Sequence, residues 1–145
     1  MRKILSLFLS IAIILTTGIN AKIDAASNGV QAAWLTTAWS LDWPKTKNNS
    51  TAQKKELIEI LDTLKDTGIN TVMFQVRPYG DAMYKSSINP WSKELTGTQG
   101  KEPGYDPLAF IIQEAHTRGM KVHAWLNPYR VGSSGTDVNV LSSNH

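Results

Sequence analysis

The chain has 145 residues, a formal charge of +3, three histidines and no cysteine. Without cysteine there is neither a disulfide framework nor the lipid-modified cysteine of a tethered lipoprotein. With no CxxC or HExxH spacing, neither a metal site nor a cofactor is expected. Two of the positive charges are Arg2 and Lys3, and removing them leaves a charge near +1, so the basicity gives no argument for nucleic acid.

Arg2 and Lys3 stand ahead of Ile4–Leu15, an almost unbroken apolar stretch of 12 residues followed by small and polar ones. That order reads as a secretory signal peptide. The stretch is well short of the about 20 residues needed to cross a bilayer, so no stable membrane insertion is expected after cleavage. Residues 1–26 are assigned to the signal, with Ala21 and Ala26 both candidate last residues. The product is expected outside the cytoplasm, secreted or in the periplasm or cell envelope.

Val30–Trp39 is rich in β-branched and aromatic residues and predicts a first strand. Asp42, Pro44 and Lys45–Asn49 predict a loop. Ser50 is the expected N-cap of a helix, with Gln53 completing a capping box and Leu57, Leu61 and Leu64 on one face. Gly68 ends it as a C′ glycine. Ile69–Val76 predicts the second strand, with Val72, Phe74 and Val76 facing the helices and Thr71, Met73, Gln75 and Arg77 the other side. A long connection from Arg77 to Tyr105 carries enough aromatic residues to predict an ordered loop. Asp106–Pro107 opens a second helix with a cap and proline at N1, and Gly119 stops it. Met120–Leu126 predicts the third strand, with His123, Trp125 and Asn127 on one face.

Strand–helix–strand–helix–strand order predicts a parallel α/β sheet. Eight strands close a barrel of about 250 residues. The expectation is therefore an incomplete (β/α)8 TIM barrel, its first three strands and two helices, with residues 27–145 as the N-terminal portion of the domain. A self-contained small α/β domain is the alternative.

Functional residues are expected at the C-terminal strand ends, where such sheets place ligands. Arg77 offers a rigid fork of donors for carboxylates or sugar hydroxyls, or a salt bridge across the mouth. Asp81 either orients Arg77, takes a hydroxyl, or caps its turn. Asn127, Tyr129 and Arg130, with Trp125, form a set suited to sugar: amide and guanidinium satisfy hydroxyls while flat rings cover pyranose faces. Trp125 and His123 could equally fill a barrel interior. Asp42 is a binding candidate or a loop cap, and Trp39, Trp43 and Trp91 are stacking candidates or core. His116 suits a helix C-terminus and is given no role. Glycoside hydrolysis ordinarily needs two carboxyl groups, and Asp42, Asp81, Glu94 and Glu102 do not single out a pair, so the catalytic residues are unknown.

Ala32–Pro44 (AAWLTTAWSLDWP) and Gly68–Arg130, with the strings FQVRPYGDA, LTGTQG, GYDPLAF and HAWLNPYR, resemble the opening of the glycosyl hydrolase-like 10 family. The resemblance implies a TIM-barrel domain about twice the length left after the signal. It also implies export and carbohydrate activity, with some members acting on peptide-stripped bacterial cell-wall glycan. It places rim motifs at Asp42, Arg77, Asp81, Asn127 and Arg130. The principal catalytic carboxylates would belong to strands four to eight, which have no counterpart here.

The function expected is therefore a glycoside hydrolase-like protein acting on a polysaccharide, with peptidoglycan a candidate partner, present as a truncated N-terminal part and binding substrate through Asp42, Arg77, Asp81, Trp125, Asn127, Tyr129 and Arg130. The alternatives are a non-catalytic carbohydrate-binding protein or an inactive gene fragment.

Overall fold

Strands β1 (Ala32–Leu35), β2 (Thr71–Arg77) and β3 (Lys121–Leu126) form one parallel sheet in the order β1-β2-β3. The computed structural model describes residues 29–132, 134–137, 139, 141 and 143, so the predicted signal segment lies outside the described residues. Trp34 is in register with Met73 and Met73 with His123, and Gln75 with Trp125. Beyond Gln75 the register slips: Arg77 lies opposite Leu126, so Val76 is an extra residue in β2, a bulge just before the strand end.

Helix α1 (Ser50–Asp66) and helix α3 (Pro107–Thr117) cover one face. The start of α1 differs from expectation. Asn49, extended at φ −143° and ψ 92°, is the N-cap, and its side-chain oxygen accepts from the Ala52 N–H at 3.0 Å, while Ser50 is already helical. Gln53 does not close a capping box. It is buried, its Nε2 donates to the Thr46 and Leu95 carbonyls at 2.8 and 2.7 Å, and its Oε1 accepts from the Tyr105 hydroxyl at 2.9 Å. The other expected punctuation is present. Asp106 caps α3 through the Ala109 N–H with Pro107 behind it, and Gly68 and Gly119 take φ of 85° and 68°, where an L side chain would be strained.

Leu57 and Leu61 of α1 and Ile111 and Ala115 of α3 are buried against Val72, Phe74 and Val76 of β2, the strand face expected to meet the helices. Each fully buried branched or aromatic side chain here contributes about 1.5–3 kcal/mol of transfer free energy. Trp43 joins this core: it has no exposure, its Nε1 donates to the Gln53 carbonyl at 3.0 Å, and its ring lies 5.8 Å from that of Phe74. It is therefore not available to stack on a ligand. At the far end, Arg118 ties the helices together through Asp62 at 2.6 Å and Glu114 at 2.8 Å, hydrogen bonds that raise its pKa further.

The connection after β2 is ordered. Ala82 and Trp91 pair as an isolated bridge, a short helix α2 (Lys93–Thr96) follows, and Met83 and Leu95 enter the core. The opposite sheet face is open at its flanks. Trp34 is 64% exposed and His123 is exposed, while Trp34 meets Trp125 edge-on at 4.9 Å.

Candidate functional site

Strand β1 stops at Leu35, well before the expected Trp39, because Gln75 of β2 captures the chain beyond it. The buried Gln75 Oε1 accepts from the Thr37 and Ala38 N–H groups, both at 2.9 Å, and the Thr37 hydroxyl donates to the Gln75 carbonyl at 2.9 Å. These bonds turn the chain into a single 3-10 turn, Ala38–Ser40, in which Trp39 adopts φ 54° and ψ 19°. A left-handed conformation costs a non-glycine residue about 1–2 kcal/mol. The turn holds the Trp39 ring at the C-terminal edge of the sheet, 53% exposed.

After β2, Arg77-Pro78-Tyr79 turns so that Tyr79 is 5% exposed and its ring lies edge-on to Trp39 at 5.6 Å. Asp81 is buried, and its Oδ1 accepts from the Tyr79 N–H at 3.1 Å, the turn-capping role anticipated for it. After β3, Arg130 brings its guanidinium to 4.9 Å from the Trp39 ring and 5.3 Å from the Tyr79 ring. Trp39, Tyr79 and Arg130 thus come from three different strand ends to one place.

Beneath them is Glu94, which is 3% exposed and accepts from the Ser40 hydroxyl at 2.9 Å and the Lys47 ammonium at 2.8 Å. Burial pushes the Tyr79 phenol up to about 12; Arg130 opposes this, and Glu94 and Asp81 add to it. The phenol is therefore a proton donor throughout the neutral range. A cavity of about 450 Å³ opens beside Trp39, Tyr79 and Asp81, and Lys93, Thr98 and Gln99 also line it. Pockets for small ligands run from about 300 to 1,000 Å³.

The seven expected binding residues divide into three groups. Asp81 and Arg130 belong to the cavity cluster. Arg77, Trp125 and Asn127 form a second, hydrogen-bonded group. Arg77 Nη1 donates to the carbonyls of Asn127 and Pro128 at 2.8 and 3.3 Å, and its Nε to Asn89 Oδ1 at 3.4 Å. Asn127 receives the Trp125 Nε1–H at 3.0 Å and donates to the Pro78 carbonyl at 3.2 Å. These side chains staple β2 to β3; Arg77 bonds carbonyls where a salt bridge was the alternative to ligand binding. Asp42 and Tyr129 stand apart. Asp42 Oδ2 caps its loop through the Thr36 N–H at 2.7 Å and borders a different groove, with Lys45, Ile60 and Leu64, while Tyr129 is 95% exposed.

Two members of the cluster were not singled out from the sequence. Glu94, one of the four carboxylates considered there, sits in α2, far in sequence from Ser40 and Lys47, and nothing local marks its burial. Tyr79 carried a local signal, the Arg-Pro-Tyr-Gly string with its echo in Asn-Pro-Tyr-Arg, but its burial is a tertiary fact. The cluster offers aromatic edges, a cation, a phenolic donor and two buried carboxylates, all close to a cavity of ligand size. That inventory suits a polyhydroxylated ligand with apolar ring faces.

The profile of the glycosyl hydrolase-like 10 family matches residues 29–145. Over 117 residues the chain is 48% identical to the glycosyl hydrolase YngK of Bacillus subtilis (strain 168), covering 80% of this chain and 23% of that protein. Over 119 residues it is 49% identical to the glycosyl hydrolase DigH of Escherichia coli (strain K12), covering 77% of this chain and 27% of that one. The chain thus spans about a quarter of the length of the curated relatives it matches. It belongs to the glycosyl hydrolase-like 10 family.

Proposed function

We propose that this chain supplies part of the sugar-binding rim of an exported glycoside hydrolase-like protein, with bacterial cell-wall glycan as its substrate. The three parallel strands are the first three of a (β/α)8 barrel, and the loops after them form one side of its cleft. Residues 27–145 are the opening portion of that domain, and the Arg2–Leu15 pattern directs export to the outside of the cytoplasm. The observation that carries the reading is the convergence of Trp39, Tyr79 and Arg130 beside a cavity with Asp81 in its wall. Relatives whose names designate glycosyl hydrolases support the substrate class.

In this reading the residues here bind and orient the glycan. Arg77 and Asn127 hold the β2 and β3 loops in place, and Arg130 and Trp39 meet the sugar. Asp81 and Glu94 are already engaged by protein donors, which favours binding over bond cleavage for this part of the rim. The test is co-sedimentation of the chain with peptide-free cell-wall glycan, with reducing-end release followed in the same tubes. Saturable pelleting that weakens in Trp39→Ala is expected. Absence of pelleting on this glycan and on other β-linked polysaccharides would sink the proposal, and pelleting without new reducing ends favours the purely binding role.

A further inference from the structure

The Tyr79 hydroxyl is the one buried side-chain oxygen or nitrogen among the described residues that has no hydrogen-bond partner. A buried hydroxyl without a partner is costly to the folded state, and native chains rarely keep one without a use. Here it belongs to a residue that lines the cavity beside Asp81. Phenylalanine would supply the same ring contact with Trp39 and Arg130 without the cost, so packing alone does not explain a tyrosine. The surrounding groups do not quench the hydroxyl. Asp81 spends Oδ1 on the Tyr79 backbone N–H, and Glu94 Oε2 takes Ser40 and Lys47. Arg130 lies over both rings and is itself exposed, so it can swing away without unpacking the core.

We infer that Tyr79 is a specificity-determining residue of this site, whose hydroxyl donates a hydrogen bond to an uncharged acceptor oxygen of a bound sugar, a ring hydroxyl or an N-acetyl carbonyl, once Arg130 moves off the aromatic pair. The inference deepens the carbohydrate reading above and rests on it. It makes an unusual demand: removing the hydroxyl should improve the fold and impair binding.

The experiment compares the whole chain with its Tyr79→Phe variant by thermal unfolding and by calorimetric titration with two probes, triacetylchitotriose and cellotriose. The expected result is a midpoint raised by about 4 °C, together with affinity about five- to tenfold weaker for the sugar that binds. Loss confined to triacetylchitotriose identifies the N-acetyl carbonyl as the acceptor, and equal loss on both identifies a hydroxyl. A lowered midpoint would overturn the inference by showing that the hydroxyl has a partner within the chain. Unchanged affinity would overturn it while leaving carbohydrate binding intact. If the parent chain binds neither probe nor cell-wall glycan, the carbohydrate reading itself fails and takes this inference with it.

Discussion

Replacing Gln75 with leucine removes the group that shapes the end of β1. Its side-chain oxygen takes two backbone N–H groups, those of Thr37 and Ala38, each at 2.9 Å in a region where Gln75 is 1% and Ala38 1% exposed. Leucine matches the volume but accepts nothing. Two buried donors left without partners cost about 1–3 kcal/mol each, for a total of about 2–6 kcal/mol. The lower half of that range is expected, because the turn lies at a rim and can relax towards water. Thr37→Val is the matched control. It removes one hydroxyl bond to the Gln75 carbonyl and should cost about 1 kcal/mol. The two changes share one network, so the double variant should fall short of the sum. Guanidinium unfolding followed by tryptophan fluorescence measures all three, and the Trp39 environment should change before the global transition. A Gln75→Leu variant within about 0.5 kcal/mol of the parent would refute this account of the β1 turn.

Asn49→Ala should cost about 1 kcal/mol by loss of the cap on Ala52, whereas Ser50→Ala should cost little; chemical unfolding midpoints separate the two. Burial raises the phenol pKa values of both Tyr79 and Tyr105 above the ordinary 10.0. The unfolded chain therefore loses these protons first as pH rises. Stability does not depend on their titration below about pH 10 and falls progressively from there towards about pH 12 and above, and Tyr79→Phe should flatten that decline in a pH series of urea midpoints. Arg130→Ala should cost about 1 kcal/mol or less, as expected of an exposed cation over aromatic rings, and should alter Trp39 fluorescence more than Arg130→Lys does.

Much of the scaffold was legible because its determinants are local. Gly68, Gly119 and Asp106-Pro107 act within one turn of where they stand, and the alternation of Val72, Phe74 and Val76 needs only the strand period. The misreadings have a common cause in contacts distant along the chain. Gln53 looks like a capping residue until Tyr105, 52 positions away, is placed against it. Trp39 looks like strand until Gln75, from the neighbouring strand, bends the chain out of it. The seven candidate site residues follow the same rule. Position at a strand end was readable, but whether a side chain lies over aromatic rings, as Arg130 does, or staples two loops, as Arg77 does, depends on what the neighbouring strands present.

The extra residue in β2, Val76, sets the phase of the rim while its own side chain belongs to the core. Below Gln75 the β2–β3 ladder is keyed one-to-one, so the side chains that meet the helices are fixed by strand pairing. Past Val76 the keying is offset, and Arg77 reaches the Asn127 and Pro128 carbonyls from a position opposite Leu126. Deleting Val76 would restore an uninterrupted ladder, yet it would remove a buried side chain from the core, rotate Arg77 to the other side and release the β3 loop that delivers Arg130 to Trp39. The offset therefore joins core to rim: Val76 packs under the helices while the phase it sets aims Arg77 at the β3 loop, and the connection beyond it returns Met83 and Leu95 to the same core.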